Sequence, residues 1–320
     1  MFDAIGMGML CVDLVTNIQK LPVSNETEYI SEFSMQGGGL VPTAIAAASR
    51  LGASCALMGK LGRDYYGSFC VEDLEYHGVD VGHVVQVPGL TTSFSIVMSE
   101  YSTKERAILH YRGSARDISE ADLDFPFISQ GRRLYLSSSD PLSVKCAKYA
   151  KSHGIPVVFD GDKHRSWVAD MLADIDVFIG SEFFYRGEFG EDKNYERNIR
   201  SFCEKGPPIA VFTFGSSGCR GVAGGRYFTQ DIFPVNVKDT MGAGDVFHGA
   251  FLYGLIQKWD VPQIARFASA VAAIKCTVIG GRAGIPDRAM TDEFLSTGKF
   301  DPTPLEERVL HYRQRGGVHG

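Results

Sequence analysis

Val237-Lys238-Asp239-Thr240-Met241-Gly242-Ala243-Gly244-Asp245-Val246-Phe247-His248-Gly249-Ala250-Phe251 sets three small residues and an acid at the mouth of an apolar, helix-forming segment. The first N–H groups of a helix have no partner within it. The helix dipole adds about half a positive charge at that end, so a phosphate can settle there. Gly242, Ala243 and Gly244 leave room for such an anion, and Asp245 then stands beside it. A carboxylate next to a phosphoryl group is electrostatically awkward unless it has work to do, such as taking the proton of an attacking hydroxyl. The run points to phosphoryl transfer rather than to a plain Gly-rich turn followed by an acid.

Outward from this run, short apolar stretches alternate with well-punctuated amphipathic segments, the pattern of a doubly wound, mostly parallel α/β sheet flanked by helices. Asp140-Pro141 opens a helix that runs to His153, Gly154 stops it, and Ile155 to Phe159 is the next buried strand. Further helices are expected from Asp64 to Gly78, from Pro42 to Gly52, and from Pro262 to Cys276 after Asp260 as a cap. The rhythm breaks near residues 12–36 and 91–112. Glu28 to Met35 and Thr92 to Glu100 partly alternate there, and Ala107 to Tyr111 follows a polar turn. These stretches are expected to form a small sheet projecting, as a lid, from one α/β domain spanning 1–320. Beyond Gly298 a short charged helix is expected to end in a loose Gly-rich terminus.

Bulk properties narrow the function. The 32 basic and 38 acidic residues give a net charge of −6, which argues against a nucleic-acid or anionic-membrane surface and in favour of small soluble ligands. Seven cysteines, an odd number without a CxxC pair, suggest neither a disulfide frame nor a zinc site, so reduced thiols and a cytoplasmic protein are expected. The N-terminal stretch has no basic leader, and no apolar run approaches the roughly 20 residues of a membrane span. The Asn25-Glu26-Thr27 sequon therefore carries no weight. Gly6-Met7-Gly8 lacks the third glycine of a dinucleotide fingerprint at Cys11, and no P-loop motif is present.

The Asp239–Asp245 run resembles the C-terminal signature of the PfkB, or ribokinase-like, family of carbohydrate kinases. Gln36-Gly37-Gly38-Gly39-Leu40-Val41-Pro42-Thr43, continuing to Gly52, resembles the N-terminal one, followed by Met58-Gly59-Lys60-Leu61-Gly62-Arg63-Asp64 and Gly67. The likeness spans nearly the whole chain. It implies a ribokinase-like fold and ATP-dependent phosphorylation of a sugar hydroxyl, with Asp245 as catalytic base and Gly242, Ala243 and Gly244 as the anion hole. By the same likeness Asp13 holds two sugar hydroxyls, and Gly38 and Gly39 let the chain approach the sugar. Thr43 stands among the substrate contacts where the family usually has Asn.

On the nucleotide side, Val211 to Gly218 resembles the turn bordering ATP, with Thr213, Gly215 and Gly218, and Ser269 matches a position beside adenine. Ser181-Glu182-Phe183-Phe184 departs from an Asn-x-x-Glu motif: Ser181 replaces the Asn and Phe184 the Glu, leaving Glu182 to reach Mg²⁺ through water. Mg²⁺ is expected with ATP, and the resemblance implies a K⁺ site at Asp239 with carbonyls of the loop Cys276 to Gly284.

The run Phe267 to Asp287 looks closest to a branch that includes sulfofructose kinase. Glu26, Glu28 and Glu32 in the lid nevertheless favour an uncharged ketohexose or pentose over a sulfonated sugar. Family lids often pair into homodimers. His248 is read as a packing residue, Asp160-Gly161-Asp162 with Arg165 as bordering the site, and Lys104, Arg112 and Arg116 as solvated surface. The alternatives are a nucleoside kinase of the same family, in which Tyr29, Phe33 or Tyr111 would stack a base, and a non-catalytic sugar-sensing relative, which should have lost Asp245.

Overall fold

The computed structural model describes the whole chain except residues 101, 104–105, 116–117, 139 and 318–320. Lys104 and Arg116 of the basic cluster and part of the 91–112 stretch thus lie outside the described residues. The strands are β1 (Ala4–Met7), β2 (Cys11–Ile18), β3 (Ile30–Gly38), β4 (Cys55–Gly62), β5 (Asp80–Val87), β6 (Ser93–Glu100) and β7 (Arg106–Tyr111). They continue with β8 (Leu134–Leu136), β9 (Val157–Gly161), β10 (Val177–Ser181), β11 (Ile209–Thr213), β12 (Cys219–Ala223) and β13 (Arg226–Gln230).

Nine of them form one sheet in the order β13-β12-β11-β10-β9-β8-β1-β4-β5. Every pairing from β5 across to β11 is parallel, and only β12 runs against the rest, antiparallel to both β11 and β13. Strands buried on both faces read as continuous apolar runs, as in β1 and β8 to β11, and the strand expected from Ile155 to Phe159 is β9. One core layer packs Ala44, Ile45, Phe251 and Ile274 against one face of the sheet. A second packs Ile5, Cys146, Phe178 and Phe202 against the other. Strand order reverses at β1, with β4 on one side and β8 on the other, so a crevice opens beyond the C-terminal ends of these strands, where ligands of open α/β sheets bind.

The second sheet has the order β3-β2-β6-β7, with β2 and β6 parallel. It grows from the C-terminal end of β1 through Gly8–Leu10, and β3 runs straight into the helix Leu40–Arg50. Helix starts follow their caps: Asp64 accepts from Gly67 N at 2.7 Å, Asp140 from Leu142 N at 2.8 Å, and Asp260 opens Val261–Lys275. The Leu40 helix begins two residues before Pro42, because Gly39 at φ 95° takes the cap and Pro42 fits the first turn. The expected charged helix of the tail is Thr303–Arg315, anchored by the buried Leu305, Arg308 and Tyr312, and the last three residues of the Gly-rich terminus lie outside the described residues. Helix Ala243–Ile256 lies close against Leu40–Arg50, where a Cβ on Gly249 would overlap the carbonyl of Ala44.

Candidate active site

Gly242 caps the helix Ala243–Ile256 in the left-handed region at φ 69°, where a side chain would meet Gly281. Asp239 holds this turn, its two carboxylate oxygens accepting from Met241 N at 2.9 Å and Gly280 N at 2.8 Å. Ala243 N–H is used within the turn, donating to Thr240 O at 3.2 Å. Among the described residues the amides of Gly242 and Gly244 have no partner, and a Cβ at Gly244 would meet open space. The Ala243 donor is therefore spent within the turn, while those of Gly242 and Gly244 stay available to a ligand.

Asp245 follows on the first helical turn, half-buried. Burial pushes its carboxyl up to about 8, the charge of Asp160 pushes in the same direction, His248 opposes, and Asp162 and Asp13 add smaller upward contributions. These groups come from β9, the segment after it, β2 and the helix itself, so the crevice brings four carboxyl groups together. Behind Asp245, His248 Nδ1 lies 3.0 Å from Asp160 Oδ2, and the Tyr135 hydroxyl is 3.3 Å from each of these atoms. Burial lowers the pKa of His248, but the Asp160 charge and hydrogen bond outweigh it and the net shift is upward. His248 is thus half of a buried ion pair rather than simple packing, and Asp160 borders the site as expected.

Asp13 lies on β2 opposite Gln36 of β3 and Ser95 of β6, 8% exposed. Burial raises its carboxyl to about 6, against the pull of the Ser95 hydrogen bond and the Arg282 charge. Gly38 must be glycine here, because a Cβ would overlap the Asp13 carboxylate, and one on Gly39 would strike the carbonyl of Met9. Thr43, expected to meet substrate, is 2% exposed and its hydroxyl accepts from Arg282 Nε at 3.3 Å. It is turned inward as part of the support for the glycine loop.

Sequence reasoning missed that support. Arg282, 1% exposed, is paired with Asp73, donates through Nη2 to Gly38 O at 3.0 Å, and donates its own N–H to Gln36 Oε1 at 2.7 Å. A Cβ on Gly37 would overlap the Arg282–Asp73 pair. Tyr312 of the last helix donates to the second Asp73 oxygen at 2.5 Å. A lone Arg in a Gly-rich loop carries no periodic signal; its partners lie more than 200 positions away.

The expected nucleotide residues cluster at the ends of β10 and β11. Thr213 Oγ1 donates to Gly180 O at 3.4 Å, and Gly215 and Gly218 both have positive φ, 53° and 73°. Ser181 caps the helix Glu182–Phe189, accepting from Phe183 N and Phe184 N at 3.1 Å each while donating to Asp162 O. Its hydroxyl is committed to the backbone. Glu182 forms an (i, i+4) pair with Arg186 at 3.4 Å and lines a cleft with Tyr185, Phe214 and Ser217. Ser269 is 8% exposed and hydrogen-bonded to Cys219. Of the three aromatics considered for base stacking, Tyr29 is 82% exposed, Phe33 packs on the core, and Tyr111 leans on Phe94 at 5.1 Å.

The residues at Asp239 do not fit a monovalent cation. Both carboxylate oxygens are used by backbone N–H groups, and the Asp239 carbonyl accepts from the Lys275 ammonium at 2.9 Å, so an added cation would meet one already there.

Comparisons with known proteins give the family. A 5-dehydro-2-deoxygluconokinase from Geobacillus kaustophilus is 28% identical over 317 residues, covering 92% of this chain and 93% of that protein. A nucleoside kinase from Methanothermobacter thermautotrophicus is 26% identical over 294 residues, covering 89% and 93%. Arabidopsis thaliana ribokinase, solved with ribose and ATP, superposes with a TM-score of 0.79 at 24% identity over 94% of this chain and 99% of that one. The family model of pfkB carbohydrate kinases matches residues 4–288, and the chain belongs to that family.

Proposed function

We propose that this carbohydrate kinase transfers the γ-phosphate of ATP to a hydroxyl of an uncharged sugar, a ketohexose or pentose, with Asp245 as general base. The observation that carries the reading is the half-buried Asp245 carboxyl one turn from the unpartnered Gly242 and Gly244 amides, in the crevice it shares with Asp13. Asp13 accepts two hydroxyls of the sugar and Gly38 and Gly39 let the backbone close on it. The hydroxyl facing Asp245 gives up its proton as its oxygen attacks phosphorus in line, while the free amides meet the charge on the equatorial oxygens. Four carboxyl groups around one crevice suit a neutral polyol better than an anionic sugar.

On the nucleotide side, the turn with Thr213, Gly215 and Gly218 borders the phosphates and Ser269 the base. Mg²⁺ comes with ATP, keeps much of its water shell and neutralises the phosphates. Glu182, paired with Arg186 at 3.4 Å, would accept from a metal-bound water. The small sheet serves as a lid, supported by Arg106 of β7, whose guanidinium reaches Thr240 Oγ1 of the anion turn at 3.5 Å. Closure would keep water from the γ-phosphate.

The test is a screen of sugars and nucleosides for ADP release, with Asp245→Asn as control. The variant should keep its fold and its affinity for sugar and ATP, measured by calorimetry, but lose at least about a hundredfold in kcat, the scale of a general base. Near-normal turnover would remove Asp245 from this role.

A further inference from the structure

Lys275, the last residue of the helix Val261–Lys275, is 0% exposed. Its ammonium donates to the carbonyl of Asp239 at 2.9 Å. Unlike Arg282, which is buried against the carboxylate of Asp73, Lys275 forms no ion pair among the described residues. An ammonium has three donors and a costly desolvation, so a buried one without a counter-carboxylate calls for a reason.

The place of this charge supplies one. Asp239 joins two loops: its carboxylate accepts from Met241 on its own turn and from Gly280 across the gap, while Lys238 N and Asp239 N both donate to Cys276 O, at 2.8 and 3.2 Å. Lys275 enters from the helix that precedes the second loop and ends on the carbonyl of the first. The carbonyl it binds belongs to Asp239, whose carboxylate braces the turn that carries the Gly242 and Gly244 amides. A fixed cation there ties the two loops together through carbonyl oxygen and adds positive potential on the side where phosphoryl charge develops. A monovalent metal ion held by carbonyls would do the same two things, and an ammonium is close to potassium in charge and size.

We propose that Lys275 is a resident cation, its ammonium standing in for a monovalent metal ion between the two loops, so that this chain works without added K⁺. The catalytic half of the proposal rests on the kinase reading of the site; the binding half does not. Phosphoryl transfer would be measured with Mg²⁺ in a buffer whose only monovalent cation is tetramethylammonium, then with K⁺ at equal ionic strength. The wild-type rate should agree within about twofold between the two, whereas Lys275→Met should fall at least about tenfold in tetramethylammonium and recover with K⁺ or NH₄⁺.

Thermal unfolding tests the same idea without turnover. K⁺ should raise the melting temperature of Lys275→Met saturably and leave that of the wild type unchanged relative to tetramethylammonium. Saturable stabilisation of the wild type by K⁺ would overturn the proposal, and so would a folded Lys275→Met indifferent to K⁺ in both rate and melting temperature. The wild-type arm decides the matter even if the variant does not fold. Failure of the sugar screen alone would count against the kinase reading and leave the melting experiment standing.

Discussion

A carboxyl group that is to take a proton from an alcohol must first be ionised, and Asp245 sits where ionisation is opposed by burial and by Asp160, Asp162 and Asp13. With its carboxyl pushed up to about 8, the free enzyme should lose kcat/KM as pH falls below that value, because the protonated acid cannot act as a base. Against these, the charge of His248 pulls the other way, sustained by Asp160 across 3.0 Å. Replacing it with a neutral residue of similar size removes that pull. The acid limb of the pH profile of His248→Asn should therefore move to higher pH, whereas a residue that only filled space would lower the rate equally at every pH. The placement of Asp245 was legible in the sequence because it depends on local backbone geometry: small residues, a helix start and an acid within one turn. The Asp160–His248 pair was not, since nothing on the helix announces a partner 88 positions earlier on β9.

Among the elements, the glycine loop after β3 is held by pieces from distant parts of the chain. Gln36 accepts from the N–H groups of Arg282 and Ala283, Arg282 binds Gly38 O and Thr43, and the Arg282–Asp73 pair connects through Tyr312 to the last helix. Removing one partner of a buried ion pair leaves the other charge stranded. Arg282→Met should cost about 3–5 kcal/mol in urea unfolding and weaken sugar binding, while a loss below about 1 kcal/mol would mean the pair contributes no more than an exposed one. The strands and capped helices could be read in advance because apolar runs and Asp or Gly punctuation are local signals. The substitution of Thr for Asn at position 43 was visible too. Its consequence was not, because the hydroxyl is turned toward an arginine 239 positions away in sequence.

For the whole molecule, the lesser sheet leaves Ile30, Ile108 and Leu109 between 52% and 60% exposed, on its two edge strands β3 and β7. Apolar side chains on open edges mark a surface that another chain can cover. A homodimer through these edges is the expected assembly, and Leu109→Lys should shift the sedimenting species from two chains toward one. The doubly wound sheet was foreseeable from the alternation of apolar and amphipathic segments, and the smaller sheet from the change in rhythm near residues 12–36 and 91–112. The short charged helix after Gly298 was foreseeable, but its anchors, Arg308 on the carbonyls of Ala283 and Ile285 and Tyr312 on Asp73, are tertiary contacts that composition does not reveal. That closing helix behaves like the keystone of an arch: prising it out would free the Asp73 carboxylate and slacken the glycine loop through Arg282, with every atom of that loop chemically intact.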